Sequence, residues 1–272
     1  MRAGHSLSVS DLNLRPRSVS EIVDGAFALY RRNSPQYILV TALGHAPLLL
    51  MQILVPQGTA LAAGATLSSV LLTTLPIFAV SFVTYSLMSG IVVQLGSRYY
   101  LGEDADLART IREIVPRLPA LLVASMLKGM LYVAGILAFL VGYLYVVARY
   151  FAVSTVIVLE GRGPLAALGR SSVLSRQRKR HILNTLLLVG LIYGFLTLGV
   201  SLLASAFTGF AGSRVIQLVV ASLFTVVAYP VVALTEMLLY YDVRIRSEGF
   251  DLERMVTSLA GAPAPPPVPP AT

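Results

Sequence analysis

The sequence predicts an all-α, polytopic integral membrane protein, with six transmembrane helices and short cytoplasmic amphipathic helices. Three observations carry this. Of 272 residues, 56% are hydrophobic and 12% charged, where a soluble domain carries about 25% charged residues. Residues 33–97 and 182–213 contain no Asp, Glu, Lys or Arg, and a hydrocarbon core about 30 Å thick needs only about 20 apolar helical residues per crossing. The apolar stretches run solidly rather than alternating, which excludes an outer-membrane barrel along with a soluble globular domain. Cysteine is absent, so disulfides, thiolate metal sites and Cys nucleophiles are absent too. The polar N-terminus lacks the apolar core of a signal peptide, and the mature chain is expected to begin near Met1.

Taken in order, the first span covers about Pro35 to Val55 and the second about Leu72 to Gly96, with Thr59 to Leu71 an outer loop or short surface helix. The third and fourth, about Pro119 to Leu140 and Tyr143 to Leu159, form a hairpin turning near Val141-Gly142. The fifth covers about Ile182 to Phe207 and the sixth about Val215 to Tyr240. Three regions follow: a cytoplasmic N-terminal segment (1–34), a membrane domain (35–241) and a cytoplasmic tail (242–272). The tail turns proline-rich at about residue 260, where that density of proline permits neither helix nor sheet.

Orientation follows from Lys and Arg, which stay on the cytoplasmic side of short loops. Eighteen of the twenty-one fall in the segments 1–34, 97–118, 160–181 and after 240. The opposite side has Arg214 alone, and Lys128 and Arg149 lie within spans. Both termini are therefore expected in the cytoplasm, the membrane being the bacterial inner one. Nineteen Arg against two Lys, with abundant Ala, is a composition typical of a GC-rich bacterial genome. Tyr99-Tyr100 and Tyr240-Tyr241 fall where spans leave the membrane, a position that suits a ring inside and a hydroxyl outside.

Each inward connection reads as an amphipathic helix. Ser18 and Glu21 have capping-box spacing, followed by an apolar face of Ile22, Val23, Ala26, Phe27 and Tyr30. Asp104 or Asp106 caps a second helix with Leu107, Ile111, Ile114 and Val115 on one face. Gly163-Pro164 opens a third, with Leu165, Leu168 and Val173 opposite Arg170 and Arg176. Each is followed by basic residues, giving Arg31, Arg32, Arg112, Arg117, Arg176, Arg178, Lys179 and Arg180 as candidate contacts to anionic headgroups of the inner leaflet. One unit, surface helix then basic clamp then hairpin, is used three times on this reading.

Ionisable groups within spans are costly, about 2.5–3.5 kcal/mol each on insertion scales, so His45, Lys128, Arg149 and Glu236 form the candidate intramembrane polar site. Helical rise places Lys128 near the midplane and Glu236 within its reach, as the one internal ion pair. Arg149, about 10 Å below the outer turn, then lacks an acidic partner. It calls either for an anionic ligand or for carbonyls freed by a kink. Pro47, Pro76 and Pro230 should kink their spans. Gly190 with Gly194, and Ser125 with Gly129, are small-xxx-small pairs suited to internal helix packing. No His cluster, HExxH, Walker loop or GxSxG occurs, so no catalytic residue, metal or cofactor is assigned, and no nucleic acid is expected as partner. Asp24-Gly25 matches the opening of a CDP-alcohol phosphotransferase motif, but Leu29 stands where its Arg belongs.

Several stretches carry a family resemblance: LRPRSVSEIVDGAFALYRRN (14–33), YLG (100–102), RLPALL (117–122), VLEGRGPLAALGRS (158–171) and YDVRIRSEGFDL (241–252). In order and spacing the chain resembles the membrane domain named after glycerophosphoryl diester phosphodiesterases, which also occurs alone in bacterial membrane proteins. Val141-Gly142 departs from its Pro-Gly turn, and Val173 from a usual aromatic. The phosphodiesterase chemistry of that family belongs to a separate barrel domain of about 250 residues, so the resemblance implies a membrane module without its catalytic partner. The expected function is a non-enzymatic inner-membrane module that binds lipid or scaffolds a partner protein. The alternative is a transporter or flippase for an anionic or lipid-like solute, using Arg149 and Lys128.

Overall fold

The computed structural model describes residues 15–55, 66–211 and 214–249, with the backbone alone for 207–211. The expected features at 1–14, at 56–65 and beyond 249, the proline-rich segment included, lie outside the described residues. Those described are helical, without a strand, and six segments are long and apolar enough to cross a membrane. This is a multi-pass membrane protein. The elements are α1 (Val19–Arg32), α2 (Ser34–Leu54), α3 (Leu67–Tyr100), α4 (Leu107–Ile114), α5 (Leu118–Leu137), α6 (Phe139–Arg149), α7 (Val153–Glu160), α8 (Pro164–Leu174), α9 (Lys179–Ala211) and α10 (Arg214–Glu248). A single 3₁₀ turn, Val115–Arg117, joins α4 to α5.

Around α10 pack α9, α2, α1 and α3, while α5 to α8 form a second group resting on α3 and α9. The protein-filled core lies at the end of the bundle where α1, α4 and α8 sit, which also gathers the basic residues. Tyr37, Leu95, Ile157, Leu234 and Met237 are buried there. Away from it the helices present Met126, Met130 and Val133 of α5, and Phe195 and Leu202 of α9, outward, the apolar surface a hydrocarbon medium requires.

Local signals of the sequence work as expected at several starts. Ser18 and Glu21 form a complete capping box on α1. Hydrogen bonds from the Ser18 N–H and then from Arg15 hold the Glu21 carboxylate at about 2, so this cap persists until pH falls toward that value. Asp106 accepts from the N–H groups of Ala108 and Arg109 to start α4, and Gly163-Pro164 starts α8.

Other expectations are corrected. The α5–α6 turn falls at Ala138-Phe139, three residues early. Gly142 lies inside α6 and lets its backbone approach Gly135 too closely for any Cβ. The fourth span is broken into α6 and α7 at Tyr150–Ala152, without a proline. α10 runs through the expected boundary at 241 to Glu248, with Asp242 buried. Tyr240 and Tyr241 are core residues: their hydroxyls meet Glu160 and Ser97, not headgroups. Arg98, counted with the loop, is buried in the last turn of α3 and bound to Thr110 and Glu113.

The three prolines interrupt no helix. At Pro230 the reason is visible. Its missing N–H would leave the Val226 carbonyl unbonded, and Thr41 of α2, fully buried, places its hydroxyl 2.7 Å from that oxygen. Close helix contact comes from Gly44, Gly90 and Gly96, where a Cβ would collide with Met88, Ile114 and Leu234 respectively. Gly129, Gly190 and Gly194 have nothing within 4 Å, so of the expected pairs only Ser125 takes part in internal packing, against Ser86 of α3.

Candidate functional site

The surface helices turn their apolar faces to protein. Ile22, Val23 and Ala26 of α1 are buried against α9 and α10. On α8 the buried face is Ala167, Ser171 and Leu174, and the expected Leu165 and Val173 point outward, 74% and 64% exposed. The reason is size: α8 lies so close to α5 and α7 that small residues fill the contact.

Two charge clusters lock this end together. Glu160, at the end of α7, accepts from Arg162, from Arg170 of α8 at 3.0 Å and from the Tyr240 hydroxyl at 2.9 Å. Arg170 also grips Glu248, which Arg244 approaches at 3.0 Å. Hydrogen bonding, above all to Glu248, raises the Arg170 pKa further from its ordinary value, so the guanidinium stays charged at any working pH. In the second cluster Asp242 of α10 accepts from the Arg17 N–H at 2.6 Å and from Arg246 at 2.8 Å, and lies 2.9 Å from His181 Nε2. Sequence reasoning missed Glu160 with Arg170, and Asp242, as the centres of these two clusters. Their only signal was that they lie in the two stretches, 158–171 and 241–252, that carry the family resemblance.

The predicted headgroup contacts divide. Arg117 donates to the Val158 carbonyl at the end of α7, a C-terminal cap rather than a lipid contact. Arg31, Arg32, Arg112, Arg176 and Arg180 are exposed, and Arg178 and Lys179 half-buried.

Arg149 is displaced from its expected place. Because α6 starts at Phe139, Arg149 lies about 15 Å along it, at its end. There it meets α8 and the start of α9, beside Arg176 and Lys179. Its Nη1 lies 2.6 Å from the Tyr145 hydroxyl, its guanidinium faces the Tyr145 and Tyr150 rings, and Nε has no hydrogen-bond partner. Lys179 Nζ stands 4.4 Å from the Tyr145 ring. With Arg176 and Ser172 these groups line a cavity of about 300 Å³. Among the described residues none of the three cations has a carboxylate within 4.0 Å.

The helix break creates this cavity. Ser171 of α8 bridges it, donating to the Arg149 carbonyl at 3.1 Å and accepting from the Ala152 N–H at 3.2 Å, and Ser175 reaches the same carbonyl. The kink therefore frees the Arg149 carbonyl for two serines, and the guanidinium is left to turn elsewhere. Ser171→Ala orphans the Ala152 N–H in a buried place, which costs about 1–3 kcal/mol. It should lower the thermal unfolding midpoint in detergent, whereas Ser172→Ala on the same helix should not.

Lys128 and Glu236 share a second cavity, of about 340 Å³, between α3, α5, α7 and α10. They are not the expected ion pair. No contact within 4.0 Å joins them, and α3 packs along both α5 and α10, keeping the two helices apart. Lys128 faces the Tyr132 ring at 5.9 Å. Their depths do match: Lys128 is about 15 Å and Glu236 about 18 Å from the basic ends of their helices. His45 is buried edge-on to Tyr85, with Nδ1 unbonded, and lies outside both cavities. The four intramembrane residues thus form three separate places. Among the described residues no three His, Asp or Glu gather as for a metal ion. Set against protein-family models, curated proteins and solved structures, the chain matches none of them.

Proposed function

We propose that this protein is a non-enzymatic, lipid-interacting module of the bacterial cytoplasmic membrane. Its basic end and both termini face the cytoplasm, and it recognises an anionic headgroup at Arg149, Arg176 and Lys179. The observation that carries the reading is the contrast between two kinds of basic residue at one end of the bundle. Arg98, Arg117, Arg170 and Arg246 are bonded to acids or carbonyls of the fold. Arg149, Arg176 and Lys179 instead converge on an open cavity with a phenol, a serine hydroxyl and no acid. A phosphate offers several charge-assisted bonds to such a set, and basic pockets between membrane helices on the cytoplasmic side bind lipid head groups. The count of Lys and Arg supports the cytoplasmic side. The resemblance to the membrane domain of glycerophosphoryl diester phosphodiesterases agrees with a module lacking catalytic groups of its own. Arg149 and Lys128 line separate cavities with no shared residue, so one transport route through both draws no support from the geometry.

Native mass spectrometry from nanodiscs of mixed phosphatidylglycerol and phosphatidylcholine tests the reading. The wild type should retain the anionic lipid, and Arg149→Ala/Lys179→Ala should retain about tenfold less, two charge-assisted contacts being lost. Equal retention by the two would contradict it.

A further inference from the structure

The second cavity has a different chemistry. Lys128 of α5 and Glu236 of α10 both line it, at matching depth, with no direct bond between them and, among the described residues, no other hydrogen-bond partner. Two lone charges in a membrane interior are costly, and the shortest remedy would be contact. The fold prevents contact by keeping α3 between α5 and α10, packed at Ser86–Ser125. About 340 Å³ remains open between the charges, within the range of about 300–1,000 Å³ usual for small-molecule sites. Ser89, Ser125 and Ser154 add hydroxyls along the wall.

We propose that this cavity binds a small zwitterion, with its anionic end at the Lys128 ammonium and its cationic end at the Glu236 carboxylate. The choice of class follows from charge balance. An anion alone would satisfy Lys128 and be repelled by Glu236; a cation alone would do the reverse. Only a ligand carrying both signs satisfies both walls, and the serine hydroxyls suit the polar atoms between its ends. An ammonium and an anion in one small molecule occur both in free amino-acid-like solutes and in the phosphoethanolamine headgroup of a lipid. The site is distinct from the Arg149 pocket and does not rest on the headgroup reading.

The test uses the whole protein in phosphatidylglycerol nanodiscs, which contain no zwitterionic lipid. L-alanine, phosphoethanolamine, propionate and propylamine serve as soluble probes, and binding is read by equilibrium dialysis. A second arm adds increasing phosphatidylethanolamine and reads its retention by native mass spectrometry. A zwitterion should bind at least about tenfold tighter than either singly charged congener. Lys128→Met and Glu236→Gln should each weaken it about 30-fold, and Leu165→Ala, on the exposed face of α8 and outside both cavities, should leave it unchanged. Binding confined to the soluble arm assigns a free solute; binding confined to the lipid arm assigns a headgroup. Because a single variant leaves one lone charge and can fail to fold, Lys128→Met/Glu236→Gln is measured beside them. It should fold and bind no zwitterion. Binding of the zwitterion by that double variant at wild-type strength would overturn the proposal. So would equal binding of propionate or propylamine. A stable double variant, with no probe or phosphatidylethanolamine bound by the wild type, would reduce the site to a water-bridged ion pair and overturn it as well.

Discussion

Asp242→Ala should be the most damaging single substitution at the basic end, lowering stability by about 3–5 kcal/mol, as removal of one partner from a buried charge cluster does. The carboxylate is 2% exposed and joins three parts of the chain that are distant in sequence. Oδ1 takes the Arg17 N–H, just before α1. Oδ2 takes Arg246, one turn further along α10, and lies beside His181 at the start of α9. Arg246 closes the loop by donating to the Arg17 carbonyl at 2.6 Å. Without the carboxylate, a guanidinium and a backbone N–H lose their acceptor, and the chain entering α1 loses its anchor. Asp242→Asn keeps the shape and one acceptor but not the charge, and should lose less, about 1–3 kcal/mol. Thermal unfolding in detergent gives the order Asp242→Ala below Asp242→Asn below wild type. Proteolysis should open first near Arg17 in the alanine variant.

Arg170→Ala should come next, at about 3 kcal/mol. Its guanidinium is 16% exposed and lies between two carboxylates, Glu160 and Glu248. Removing it breaks the charged link from the middle of α8 to both α7 and α10 and leaves two acids facing each other, with Arg162 and Arg244 to balance them. Arg170→Lys supplies charge without the planar fork that serves two carboxylates at once, so it should restore only part of the loss. Equal stability of the lysine variant and the wild type would show that charge alone suffices.

These two clusters mark what a single sequence can and cannot disclose. Apolar runs located every span because hydrocarbon tolerates little else, although three of the spans carry one charge each (Lys128, Arg149 and Glu236). Ser18 with Glu21, Asp106 and Pro164 disclosed helix starts because capping is local. Which partner covers a face was not legible. Tyr240 and Tyr241 have the composition of an interface pair and turned out to be core, because α1 and α3 cover that end of α10. The break after Arg149 had no local sign, since the groups that satisfy it, Ser171 and Ser175, come from another helix. A count of arginines predicts a side of the membrane, not which arginines the fold consumes. Hence Arg117 was expected on lipid and is a helix cap, whereas Arg149 was expected deep in the membrane and stands with the surface cations. Glu236 was expected shallower than Lys128 but within reach of its side chain; the extension of α10 to Glu248 brings the two to similar depth, and only the packing of α3 shows that they do not touch.

The headgroup proposal rests on the basic end lying in the cytoplasm, and the absence of cysteine makes that directly measurable. Single cysteines in place of Arg180, exposed beside the cation pocket, and of Val141, 77% exposed near the α5–α6 turn, can be probed with a membrane-impermeant maleimide. Right-side-out vesicles should label Val141→Cys and spare Arg180→Cys, and inside-out vesicles should do the reverse. Labelling of Arg180→Cys in right-side-out vesicles would place Arg149, Arg176 and Lys179 in the wrong leaflet and contradict the account.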